Sequence, residues 1–298
     1  MSNITKTAII SVVGRPNVGK STLTNKLVGY KVAIVSNKPQ TTRTRITGVL
    51  TQGDCQFVFL DTPGLHKPRS KLGDFMVKVV TDTVSEVDVA ALVVEPKPEP
   101  GPAEESLIGQ IQAGGIPSIL VINKVDTVPR EELLAVIAAY AEKHNFDAVI
   151  PVSARTGEGT DVLLAELKKF ALEGPALFPE DMVSDQPERQ IAAEIIREKM
   201  LRLLEREVPH GVAVGIERWN EREDGLVEMS ATIYCEKASH KGIIIGKTGE
   251  MLKKIGKAAR LDIEKNLDTR VFLELWVKVK EDWRNNTFQM RNFGYQDE

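Results

Sequence analysis

With 298 residues, 42% of them hydrophobic, the chain exceeds what one modest core serves, so two domains are expected. A formal net charge of -3 excludes a surface uniformly suited to coating nucleic acid and leaves that role only to a local basic face. Cys55 and Cys235 lie far apart without metal-ligand companions, the opening MSNITKTAII lacks the apolar core of a secretory signal, and no apolar run approaches the roughly 20 residues that cross a bilayer; together these predict a cytoplasmic chain, soluble or at most peripheral to a membrane, with neither a zinc site nor a disulfide framework.

From Ala8 the chain reads as an apolar strand, AIISVV, then the glycine loop GRPNVGKST, Gly14 to Thr22, then the helical pattern KSTLTNKLVG. That spacing is the phosphate cradle of a P-loop. The backbone around Gly14, Asn17, Val18 and Gly19 is expected to turn its N–H groups to a phosphate, and Lys20 to reach the β/γ oxygens. The Ser21 hydroxyl suits Mg²⁺, and Thr22 continues the opening turn of the helix, whose N-terminus favours an anion. Next, QTTRTR offers Thr41 and Thr42, one of which should complete the magnesium set only when a γ-phosphate is present. Thr42 is the choice and Thr41 the reserve. After the strand QFVFL, the turn DTPG places the Asp61 carboxylate to orient a metal-bound water and leaves the Gly64 N–H for the γ-phosphate.

Further strands are expected at VAALVVE, SILVIN and AVIPVS, separated by helical patterns such as EELLAVIAAYAEKH and DVLLAELKKF. This is how a mostly parallel sheet with helices on both faces reads. The proline-rich EPKPEPGP, residues 95–102, reads as an exposed connection without assigned function. Directly after SILVI stands NKVD. Asp126 can accept from both N1–H and N2–H of guanine, which makes GTP and GDP the expected ligands, while the Lys124 stem can cover the base and Asn123 can tie this loop to the glycine loop. Ser153, Ala154 and Arg155 add SAR, with the Ala154 N–H available to guanine O6.

Prolines and acids interrupt the pattern around residues 173–186, which reads as a linker. The order beyond it is helix, strand, strand, two short helices and strand. The glycine pair in GKTG, Gly246 to Gly249, cannot be a second P-loop, because only Ile243, Ile244 and Ile245 separate Gly242 from Gly246 and branched side chains resist positive φ. The order looks like a K-homology domain of the bacterial type II topology, whose G-x-x-G turn clamps single-stranded RNA. Gly246, Lys247, Thr248 and Gly249 would meet the RNA backbone, with Lys241, Lys253 and Lys254 adding charge from the flanking helices. Ile233, Cys235, Val271, Leu273 and Leu275 read as sheet core.

Through GRPNVGKST, QTTRTR, DTPGLHKP, NKVD and SAR in this order, the chain resembles a translation-factor-like GTPase of the Era family over essentially its whole length. The resemblance implies an α/β P-loop GTPase domain over residues 1–172, a linker over 173–186 and a type II KH domain over 187–298. It further implies a monomeric GTPase that binds the 3′ end of 16S rRNA and assists small-subunit assembly. Lys20, Thr42, Gly64 and Asn17 would carry catalysis, and Ser21, Thr42 and Asp61 the Mg²⁺. Leu65 stands where many such enzymes have a water-orienting glutamine, so intrinsic turnover is expected to be slow. By position Asn17 would hold a K⁺ that replaces an arginine finger; a turn residue is the equal alternative. The rival functions are a membrane-peripheral signalling GTPase, at the inner face of the cell membrane, and an RNA-binding module with an inert nucleotide fold.

Overall fold

The computed structural model describes residues 4–295, so the outermost three residues of each expected terminal domain lie outside the described residues. The chain divides into two units. The first holds the residues up to Ala33, Thr42–Lys67 and Met76–Asp185; the second holds Ile34–Thr41, Pro68–Phe75 and the residues from Gln186 on.

The first unit runs β1 (Lys6–Val13), α1 (Lys20–Val28), β2 (Ile46–Gln52), β3 (Cys55–Asp61), α2 (Lys71–Ser85, which opens in the second unit), β4 (Val89–Val94), α3 (Pro102–Gly114), β5 (Ser118–Ile122), α4 (Glu132–Ala141), β6 (Ala148–Pro151), α5 (Thr160–Leu167) and β7 (Leu172–Glu173). The sheet order is β2-β3-β1-β4-β5-β6, with β7 beside β1. All pairings are parallel except β2 with β3 and β7 with β1. Both β4 and β5 are buried along their whole length, which is why they read as continuous apolar runs rather than alternating ones. Alternate residues feed two cores. Val12, Ala91, Val93, Ile119 and Val121 pack with Leu23 and Leu27 of α1 and Leu163 and Leu167 of α5. Val13, Leu92, Val94, Leu120 and Ile122 pack with Val80, Leu107, Ile111 and Val136 of α2, α3 and α4.

Two antiparallel strands were absent from the sequence expectation. Gly48 meets Val28 and Thr24 where a side chain would not fit, so β2 lacks the continuous apolar signature of its neighbours. β7 is two residues long and exposed. Residues 173–185, expected as linker, run along the first unit: Gln56 bonds Leu177 N, Phe178 N and Phe178 O, and Val49 N donates to Val183 O at 2.9 Å.

The second unit contains α6 (Glu188–Leu203), β8 (Val212–Glu221), β9 (Leu226–Cys235), α7 (Ala238–Ile245), α8 (Glu250–Leu267), β10 (Arg270–Val279) and α9 (Thr287–Asn292). Its sheet is β10-β9-β8, with β8 antiparallel and β10 parallel to β9. One face is sealed by Ile196 and Met200 of α6, Ile244 of α7 and Ile255, Ala259 and Ile263 of α8. The three isoleucines of the glycine stretch are thus helical, as their stiffness requires. Against expectation α8 is not short; it has 18 residues. Also unforeseen is the closing segment, where Trp283 is fully buried, donates Nε1–H to Gly211 O at 3.0 Å and stacks on Tyr295.

Helix α6 buries Arg197, Glu198 and Lys199, because their partners lie within the same unit. Glu198 accepts from Val35 N at 2.9 Å, from Lys199 at 2.9 Å and from Arg202 at 3.0 Å, while Arg197 donates to Thr41 O. Burial of this kind is tolerated only when the charges are paired and hydrogen-bonded.

Candidate functional site

Four loops leave the carboxyl ends of β1, β3, β4 and β5 in the first unit, the edge where ligands bind open α/β sheets. In the first of them Asn17 (φ 66°) and Gly19 (φ 101°) adopt left-handed backbone, the geometry that turns successive N–H groups into an anion nest, and α1 starts at Lys20. The approach to the NKVD loop is so close that a Cβ on Gly19 would stand 2.3 Å from Asn123 Nδ2. Lys20 is buried, donates to Gly14 O and Arg15 O at 3.0 Å each, and burial lowers its pKa to about 8 against the pull of Asp61.

Three oxygens converge at the head of α1. Ser21 Oγ donates to Asp61 Oδ2 at 2.6 Å and lies 2.9 Å from Thr42 Oγ1. Thr41 turns elsewhere, donating to Lys38 O at 2.7 Å. Burial pushes the Asp61 carboxyl up to about 6, although the Lys20 charge and the Ser21 hydroxyl oppose it, and its Oδ1 is buried with no hydrogen-bond partner. A buried carboxylate with a free oxygen beside two hydroxyls fits a hard divalent cation. Gly64 lies against the glycine loop so closely that a Cβ would meet Pro16 Cα at 2.6 Å, and the neighbouring Leu65 N donates to Gly14 O at 3.2 Å. The Leu65 side chain is buried in apolar company.

Asn123 Nδ2 donates to Val18 O at 2.8 Å, tying the NKVD loop to the glycine loop. Its Oδ1 accepts the Ala154 N–H at 2.9 Å, so the group expected to face guanine O6 is engaged within the protein. Asp126 accepts from Ser153 Oγ and Arg155 Nη2, each at 2.6 Å; the Ser153 bond and the Arg155 charge hold its carboxyl below the usual range. Lys124 has left-handed backbone (φ 65°) and donates to Asn17 O at 2.6 Å.

In the second unit the GKTG turn joins α7 to α8. Gly246 (φ 75°), Thr248 (φ 55°) and Gly249 (φ 83°) are all left-handed, and a Cβ on Gly246 would meet Met251 Cβ at 2.7 Å. Lys241, Lys247, Thr248, Lys253 and Lys254 line the turn and its flanking helices, and the turn opens the N-terminus of an 18-residue helix, where an anion is favoured. Ile233, Cys235 and Val271 are buried, and Leu273 and Leu275 pack against the same core.

The chain matches the family described as 50S ribosome-binding GTPase over residues 9–124 and the KH domain family over residues 207–284. The GTPase Era of Ruminiclostridium cellulolyticum is 54% identical over 290 residues, 97% of each chain. The chain belongs to the Era family of GTPases. Era of Clostridioides difficile is 50% identical over 98% of this chain and 99% of its own. Among solved structures, a tyrosine-to-alanine variant of Aquifex aeolicus Era bound to GDP.AlF4- is 40% identical, with TM-score 0.94 over 98% of this chain and 100% of its own. An Era complex with MgGDPNP and nucleotides 1506–1542 of 16S ribosomal RNA matches with the same values.

As an Era GTPase the chain hydrolyses GTP, and its fold is a P-loop GTPase domain followed by a KH domain. The inert-nucleotide alternative therefore falls. No helix among the described residues is long and apolar enough to cross a membrane. Sequence reasoning missed Glu95, Arg15 and Glu104, which meet beside the glycine loop; only Glu95, the acid that opens EPKPEPGP, carried a trace of them.

Proposed function

We propose that this Era GTPase is a monomeric, cytoplasmic switch whose KH domain binds 16S rRNA near its 3′ end and which assists assembly of the small ribosomal subunit. The observation that carries the reading is the GKTG turn, with three left-handed residues and an exposed lysine and threonine at the head of α8. The Era complex holding nucleotides 1506–1542 of 16S rRNA supports it. The description 50S ribosome-binding belongs to the broader GTPase family; the 16S-bound relative, which covers both domains, is the more specific guide. The domains are read as residues 1–172 and 187–298, joined by 173–186.

In the nucleotide site, Gly14, Asn17, Val18, Gly19 and Thr22 cradle the phosphates, and Lys20 leaves its two carbonyl partners for the β/γ oxygens. Ser21, Thr42 and Asp61 hold Mg²⁺, which when bound neutralises charge on the phosphates. The Gly64 N–H faces the γ-phosphate, Asp126 reads guanine, Lys124 and Arg155 flank the base, and Asn123, Ser153 and Ala154 brace that loop. Leu65 cannot polarise water, so intrinsic turnover is slow, and Asn17 helps to hold a K⁺ that offsets the charge of the transition state.

The test is the double substitution of Lys247 and Thr248 by aspartate. Setting two carboxylates against the RNA backbone abolishes tight binding of a 16S 3′-end oligonucleotide. Each lost phosphate contact also flattens the salt slope of log K by roughly 0.7. GTP affinity is retained. A folded double variant with wild-type RNA affinity and salt slope refutes the KH-loop assignment.

A further inference from the structure

The first unit carries an anionic hub that none of the nucleotide motifs contains. Glu95 directly follows β4 and stands at the carboxyl edge of the sheet, where β4 lies between β1 and β5. Three cations converge on its carboxylate. Oε2 pairs with Arg15 Nη2 of the glycine loop and lies 3.3 Å from Lys97 Nζ, while Oε1 accepts from Lys124 Nζ at 2.5 Å. The same ammonium donates to Asn17 O at 2.6 Å, so Lys124 is shared between Glu95 and the glycine loop.

Arg15 is held from a second side. Its Nε lies 2.9 Å from Glu104 Oε1, an ion contact without the alignment of a hydrogen bond. Glu104 is only 4% exposed and reaches back to the Gly101 N–H at 3.2 Å, capping α3. Between the two acids, Pro96, Pro98, Pro100 and Pro102 restrict φ, and Lys97 N donates to Glu95 O at 2.7 Å. A stretch that reads as mere connection joins the two carboxylates, Glu95 ahead of it and Glu104 in α3, that meet Arg15 of the glycine loop. Burial works to raise the Glu95 carboxyl, but the bonds from Lys124 and Lys97 and the Arg15 charge outweigh it and hold it below its ordinary value.

A lysine is a point charge on a flexible stem, and ordering that stem during binding opposes affinity. We propose that Glu95 is a positioning residue for the guanine nucleotide: it pins the Lys124 ammonium at Asn17 O, so that the alkyl stem is laid ready to cover the base before the nucleotide arrives. Through Arg15 it holds the glycine loop and the base-reading loop in one register. The inference rests on the reading that Lys124 covers the base, and it deepens that reading by naming what orients the lysine.

The experiment measures binding of a fluorescent GDP to the full chain for wild type, Glu95→Gln, Glu95→Asp, Lys124→Ala and the double variant Glu95→Gln/Lys124→Ala. Glu95→Gln is expected to weaken GDP by about three- to tenfold through faster dissociation, a partly exposed charge network being worth no more. KM for GTP rises by a similar factor and kcat falls by less than KM rises, because Glu95 bonds none of Lys20, Ser21 or Asp61 and reaches the catalytic loop only through Arg15 and Lys124. Glu95→Asp recovers part of the affinity, which separates lost charge from a general packing defect. On the Lys124→Ala background, Glu95→Gln costs less than about twofold, the sign of a coupled pair. Wild-type affinity in Glu95→Gln, or the same loss with and without Lys124, overturns the proposal. If Lys124→Ala itself binds GDP as wild type does, the base-covering reading fails first, an outcome distinguishable from failure of Glu95 alone.

Discussion

Replacing Gly19 by alanine tests whether the glycine loop and the NKVD loop are one packed object. Gly19 has φ 101°, and an added Cβ would stand 2.3 Å from Asn123 Nδ2. Two costs follow. Holding alanine at positive φ costs about 1–2 kcal/mol. Moving Asn123, which is 2% exposed, breaks its 2.8 Å bond to Val18 O and disturbs the 2.9 Å bond from Ala154 N, and leaving a buried polar group unpaired costs about 1–3 kcal/mol. The total, about 2–5 kcal/mol, is read in one of two places. If the loop keeps its shape, the melting temperature of the ligand-free chain falls by about 4 °C or more. If the loop relaxes, the melt is preserved and GDP affinity falls at least about thirtyfold, since roughly 1.4 kcal/mol is a factor of ten. Calorimetry and GDP titration on the same preparation cover both cases. A variant that melts within about 1 °C of wild type and binds GDP within about twofold refutes the reasoning.

Asp126→Asn is expected to exchange guanine for xanthine, because the amide donates where the carboxylate only accepted. Competition between GTP and XTP checks it, and unchanged GTP preference counts against the assignment. Asp61 gives the ligand-free chain a pH signature: its folded pKa, about 6, exceeds the ordinary carboxylate value near 4, so the folded state binds the proton more tightly. Its contribution is greatest below pH ~4, and about 3 kcal/mol is lost as pH rises through ~6. The stability difference between Asp61→Asn and wild type should therefore grow in favour of the variant across that window, and a difference independent of pH contradicts the burial argument. Potassium is expected to accelerate GTP hydrolysis over sodium in wild type and to lose that advantage in Asn17→Ala; equal rates in both salts leave Asn17 as a turn residue.

The loops of the candidate site were legible because their geometry is local. Each of GRPNVGKST, DTPG and NKVD is a short loop at the end of a strand, and spacing alone dictates which backbone groups turn inward. The KH turn was legible for the same reason, the glycines of GKTG admitting a left-handed backbone that Ile243, Ile244 and Ile245 cannot share. Contacts between distant residues were not. Glu95 meets Arg15 across 80 positions and Lys124 across 29, and a pattern of apolar residues says nothing about which charge will face which. Residues 173–186 read as linker because their polar and proline content breaks periodicity, yet Gln56, 122 positions from Phe178, bonds the backbone of Leu177 and Phe178. Nothing in the helical pattern around Arg197, Glu198 and Lys199 signals that these three charges are buried. Only the folded chain, by bringing Val35, Thr41 and Asp262 to them, supplies the partners that make their burial tolerable.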